Sequence, residues 1–144
     1  MQYFSTNSWG GSQYSPLQAA AKIGSLDLVK RLLNAGADVN APPAEDSGAT
    51  PLQVAAMYGF IDIACLLVEK GAEVNAPPAE KEGRTALEGT AEHGRIDILQ
   101  LLLNRGAKVK GSGEVQFDRA LSFARRQGHH AVARLFQAFY SRCA

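Results

Sequence analysis

Asn40-Ala-Pro-Pro-Ala-Glu45 returns almost unchanged as Asn75-Ala-Pro-Pro-Ala-Glu80, and the likeness runs on from Thr50-Pro-Leu-Gln53 to Thr85-Ala-Leu-Glu88. Leu17, Leu52, Leu87 and Leu121 recur at steps of 35, 35 and 34 residues, and Gly24, Gly59, Gly94 and Gly128 keep the same steps. A period of this length marks a tandem array of stacked supersecondary units. Such an array repeats one surface along its length, so its function is expected on an extended face and not in a single cleft.

Each unit opens on a helix-start signal. Ser15-Pro-Leu-Gln18, Thr50-Pro-Leu-Gln53 and Thr85-Ala-Leu-Glu88 place a hydroxyl at N-cap and Gln or Glu three residues later, the spacing of a capping box. Pro16 and Pro51 fall at the first helical position, where a missing N–H costs little. Helices of about eight residues are expected from 16, 51 and 86, alanine-rich and ending at Gly24, Gly59 and Gly94 in left-handed C-caps. Second helices follow, with Asp27, Asp62 and Asp97 in their first turns, apolar residues at helical spacing, and Gly36, Gly71 and Gly106 as stops. The unit therefore reads helix, turn, helix, projecting loop.

The pattern Thr-Pro-Leu-x-x-Ala-Ala, x-x-Gly, then Leu-Leu-x-x-Gly-Ala-x-Val-Asn-Ala resembles the ankyrin repeat and covers residues 15 to about 139. The resemblance implies an all-α solenoid of about four units, at about 15–49, 50–84, 85–118 and 119–139, flanked by an aromatic segment 1–14 and a tail 140–144. Two features depart from the family's pattern: Gln18, Gln53, Glu88 and Ser122 stand where it has histidine, and the period exceeds 33 through the Ala-Pro-Pro-Ala-Glu loops. The loop variant is similar to long ankyrin arrays of fungal proteins, including the sensor arrays of receptor-type proteins. No Gly-x-x-x-x-Gly-Lys-Ser/Thr loop of a nucleotide-binding domain occurs in this sequence.

The ends differ from the middle. In the fourth unit Arg119 takes the place of the capping Thr, and Arg125 that of a small alanine. These are changes suited to a terminal cap, whose outer face meets water. Val132, Leu135, Phe136 and Phe139 are expected to form its inner face, the two phenylalanines closing the core, with Arg126, Arg134 and Arg142 left in water. Gly111-Ser112-Gly113 reads as a flexible connection. Tyr3, Phe4, Trp9 and Tyr14 crowd the first fourteen residues. They either cover the open side of the first unit or, in the case of Trp9 and Tyr14, line a ligand surface.

At 144 residues, 46% hydrophobic and 20% charged, the chain has room for one cored domain. Net charge is +1, yet from Asn104 onward eight Lys and Arg face Glu114 and Asp118, a balance of +6 against −5 for the rest. A solvated terminal face accounts for that excess more simply than nucleic acid does. Two cysteines, Cys65 and Cys143, fit free thiols in a reducing compartment. The chain is expected to be cytoplasmic, with the nucleus possible, monomeric, and neither membrane-spanning nor nucleic-acid-binding.

The chemistry of catalysis is missing from the pattern. Cys65 has no histidine in a neighbouring row, His129 and His130 diverge as consecutive residues, and zinc-site spacings do not occur. No catalytic residue, metal ligand or cofactor is assigned. The resemblance instead implies a non-catalytic module that binds a protein partner through a concave face of loops and first helices; the alternatives are an architectural fragment of a longer array and, last, a small-molecule-binding or enzymatic protein. Carried onto this sequence, that face comprises Tyr14, Lys22, Ile23, Asp46, Ser47, Met57, Tyr58, Lys81, Glu82, Arg84, Glu92, His93 and Arg126, with Ala49 beside the loop tips and Gln127 beside Arg126. Ile23, Met57 and Tyr58, together with Tyr14, would form an apolar centre with charges around it, although Ile23 and Met57 also suit packing between units.

Overall fold

The computed structural model describes residues 14–43 and 48–143. These form eight α-helices in antiparallel pairs: α1 (Pro16–Ile23) with α2 (Leu26–Asn34), α3 (Pro51–Tyr58) with α4 (Ile61–Glu69), α5 (Ala86–His93) with α6 (Ile96–Asn104), and α7 (Glu114–Arg126) with α8 (His130–Arg142). Each first helix packs on the next, from α1 through α3 and α5 to α7, and the second helices form a looser parallel row. Ala20, Ala21, Ala55, Ala56 and Ala91 are fully buried along the tight row, where a larger side chain would hold the helices apart.

The three capping boxes form as the sequence requires. Ser15, Thr50 and Thr85 each accept the N–H of the residue three on, and Gln18, Gln53 and Glu88 each reach back to the N-cap N–H. Loss of one such cap costs about 1 kcal/mol. Gly24, Gly59 and Gly94 have φ of 84°, 83° and 69°, in the left-handed region. Close approach adds a second reason for glycine at Gly24, where a Cβ would lie 2.5 Å from the ring of Phe60 in the next unit.

The glutamine that replaces the family's histidine has two tasks. Gln18 Nε2 donates to the carbonyls of Ala41 and Pro42, both at 3.0 Å, and Gln53 Nε2 does the same to Ala76 at 3.1 Å and Pro77 at 3.0 Å. The prolines hold the preceding backbone extended and offer no N–H of their own, so two successive carbonyls face one amide. The Ala-Pro-Pro loop and the glutamine thus form one device, which ties each unit's first helix to the loop leaving its second. Asn40 and Asn75 link unit to unit. Asn40 Nδ2 donates to Gly71 O and its Oδ1 accepts Glu73 N–H, while Asn75 repeats both bonds with Gly106 and Lys108.

The last junction is built differently. Glu88, only 2% exposed, cannot donate to a loop; one oxygen keeps its capping bond and the other meets Arg119 Nε at 3.0 Å. Arg119 lies inside α7, not at an N-cap, because the helix starts at Glu114 and runs 13 residues. The expected boundary between 118 and 119 therefore falls within a helix. Gly111–Gly113 is also no loose tether: it forms a 3-10 turn leading straight into α7, and Gly113 is buried so closely that a Cβ would sit 2.4 Å from the Lys108 backbone. Without proline in this connection, nothing stops the helix from starting early.

Phe136 is fully buried and Val132 nearly so, as expected, with Arg126, Arg134 and Arg142 exposed. Phe139 and Leu135 only edge the core. The second ring that closes it is Phe117 on α7, edge-on to Phe136 at 5.6 Å and stacked on Tyr140 at 4.7 Å.

Candidate functional site

The last turns of the first helices place equivalent residues in two parallel rows. Lys22, Met57, Glu92 and Arg126 make one; Ile23, Tyr58, His93 and Gln127 make the other. The second row is the more open. Ile23 is 72% exposed and Tyr58 44%, the tyrosine stacked against Phe60 with ring centroids 6.4 Å apart. His93 and Gln127 also face solvent.

Met57 sits lower. It is half-buried, and its Cγ fills the space that a Cβ on Gly89 would need, so it packs between units as much as it faces outward.

Several of the expected face residues contact one another. Lys22 Nζ lies 4.9 Å from the centre of the Tyr14 ring. Eight residues apart in the same manner, Arg84 Nε meets Glu92 Oε2 at 2.5 Å, both side chains being 24% exposed. Arg84 also donates to the carbonyls of Glu82 and Gly83. The turn that carries it is tight: Glu82 is the one non-glycine with positive φ among the described residues, at 54°, and a Cβ on Gly83 would clash with the Ala79 backbone. A residue held in that region stores about 1–3 kcal/mol of strain, which the surrounding contacts must offset. Lys81 and Glu82 are exposed at the turn's tip. Ala49, by contrast, is buried. Asp46 and Ser47 lie outside the described residues, as do Tyr3, Phe4 and Trp9.

Phe123 was missed in the sequence. It occupies the position of Ala19, Val54 and Gly89, a row that otherwise holds smaller residues, and it receives Arg84 at 4.5 Å on its ring and Arg126 at 5.6 Å. A lone large residue in a small-residue row is the signal that could have found it. Arg126 Nη2 additionally donates to Ser122 Oγ at 3.3 Å, which fixes the guanidinium at both its face and its edge. Next to it an open groove of about 460 Å³ is lined by Asp118, Leu121, Ser122, Arg125 and Arg126.

Among the described residues no group of His, Cys, Asp and Glu is placed to hold a metal ion, and no helix is long and apolar enough to cross a membrane. Cys65 is half-buried on α4 and Cys143 exposed, neither in a disulfide. His129 spends its imidazole structurally, over Gly94 and within 3.2 Å of the Glu92 carbonyl. Along these rows Ile23 and Tyr58 stand toward the first unit, and the guanidiniums of Arg84 and Arg126 meet the Phe123 ring toward the last.

A family model described as ankyrin repeats in three copies matches residues 3–78, just over half of the chain. No curated protein matches.

Proposed function

Because the chain belongs to the ankyrin repeat family, whose repeats generally serve in protein interaction, we propose that it is a non-catalytic module that binds a protein partner through the face formed by its first helices and the loops before them. The observation that carries this reading is the exposure of Ile23 and Tyr58 at equivalent positions of adjacent units. A monomer gains nothing from keeping two large apolar groups in water side by side, whereas an interface gains from burying them. Lys22 and Met57 stand beside them in the adjoining row, Arg84, Glu92, His93 and Arg126 continue the face toward the last unit, and the Tyr14–Lys22 and Arg84–Glu92 contacts hold these side chains in place. Preorganisation of this kind reduces the entropy lost on binding.

Two thiols outside any disulfide support a reducing compartment, cytoplasm or nucleus. The test is affinity capture from lysate of the source cell with the parent chain and with an Ile23→Ser, Tyr58→Ser variant. The expected outcome is loss of the captured protein with circular dichroism unchanged. Undiminished capture by the variant sinks the proposed face.

A further inference from the structure

The two ends of the face differ in chemistry, and that difference describes a partner. Ile23 and Tyr58 lie toward the first unit; Arg125 and Arg126, both exposed, lie on α7. Arg126 is stacked on Phe123 and bonded to Ser122, so its guanidinium is oriented before any partner arrives. Arg125 lines the same groove as Arg126, and an oriented guanidinium is suited to a carboxylate, which it grips with paired N–H donors. Leu121 and Asp118, one apolar and one acidic, also line the adjoining groove. A polyanion would bring further negative charge against Asp118, Glu114 and Glu92; a single carboxylate need not.

Packed helices stand about 8–10 Å apart, so α3 and α7, two steps apart along the tight row, are separated by roughly 16–20 Å. An extended chain advances about 3.3 Å per residue and covers that span in five or six residues. We propose that the face takes a short acidic peptide segment in extended form, with an apolar side chain over Tyr58, on the side where Ile23 flanks it, and, five or six residues from the Tyr58 position, a carboxylate held by Arg126, with Arg125 on the same groove. This rests on the protein-binding reading above and adds the partner's charge, its apolar anchor and their spacing.

The probe is a displayed library of random 12-residue peptides, selected on the purified chain and then measured against two variants, Arg125→Gln/Arg126→Gln and Ile23→Ser/Tyr58→Ser. The expected result is an enriched pool carrying Asp or Glu five or six residues from Leu, Phe or Tyr, bound at least tenfold more weakly by each variant. Exposed sites predict that both variants melt within a few degrees of the parent, and Arg126→Glu alone serves as a second arginine variant should the double one not fold. A neutral or basic pool, or an acidic one that the arginine variants bind undiminished, overturns the partner's chemistry; the face itself survives that result if the Ile23/Tyr58 variant loses binding. No enrichment, or binding indifferent to both variants, overturns the two readings together. Arginine-dependent binding of a 20-base-pair duplex in place of peptides assigns the basic end to nucleic acid and overturns the proposal.

Discussion

The first two loops and the third do the same job with opposite chemistry. After units one and two, a neutral glutamine donates to two carbonyls of a proline-stiffened loop, and an asparagine then bridges to the next unit. After unit three there is no Ala-Pro-Pro loop, and a buried glutamate accepts from an arginine of the next helix instead. Lys110 replaces the bridging asparagine where no further hairpin follows, and its ammonium lies 4.4 Å over the Tyr140 ring. The side chain at the fourth position of the capping box is therefore matched to what stands opposite it. Where the opposite group is a pair of carbonyls the residue is a donor, and where it is a guanidinium the residue is an anion.

The sharpest way to break this pairing is Gln53→Glu. The carboxylate would face the Ala76 and Pro77 carbonyls with no cation near, a buried unpaired charge costing about 3–5 kcal/mol. Chemical denaturation is expected to show a loss of that size, and a loss below about 1 kcal/mol would mean that the residue type there is indifferent. The reverse break is Arg119→Met. It leaves Glu88 buried without its partner, but the Arg119 side chain is 50% exposed and water replaces part of what is lost, so roughly 2–3 kcal/mol is expected. Hydrogen exchange should place that loss in α7 and α8 and leave α1 to α4 protected, and adding Glu88→Gln should recover most of it. Uniform loss of protection along the chain would show that the junction is not a separate boundary.

The smallest effect concerns the same terminal unit. Tyr140 donates to Glu114 Oε1 at 2.8 Å, and that bond, more than desolvation or the charges of Glu114 and Asp118, raises its phenol above the ordinary value of 10.0. Because the folded value is the higher one, the contact's contribution is complete below the unfolded value and is lost as pH climbs through the folded one. Glu114→Gln is expected to bring the ultraviolet titration of Tyr140 back toward 10, with no change near neutral pH; an unmoved titration curve would dissociate the phenol from Glu114.

Much of this was legible in the residues. The three capping boxes, the glycine stops and the apolar stripes of the second helices are local signals, and local hydrogen bonding decided them. The fourth unit was harder, since the start of α7 depends on the absence of a proline brake and not on any positive signal, and Phe117 joins the core only because that early start turns it inward. The period puts Ile23 and Tyr58 at equivalent positions, and the resemblance, not the period, assigns them and Tyr14 to a face. The contacts that pair Lys22 with Tyr14, Arg84 with Glu92, and both Arg84 and Arg126 with Phe123 could be read from neither, because they depend on how far each side chain reaches across neighbouring helices. Met57 drops toward the core for a similar reason: Gly89, on the next helix, leaves it room.

The asparagine bridge reaches one period forward and no further: Asn40 meets Gly71 and Glu73, and Asn75 meets Gly106 and Lys108. Its partners there are main-chain groups, which every unit possesses whatever its side chains. A duplicated stretch of 35 residues spanning one loop and one helix pair would therefore arrive with its bridge already in register at both seams, and the array can lengthen by copying without inventing a contact. The exception is the seam held by Glu88 and Arg119. Both partners there are side chains, one on each flank, so a copy inserted across that seam loses the pair unless the two change together.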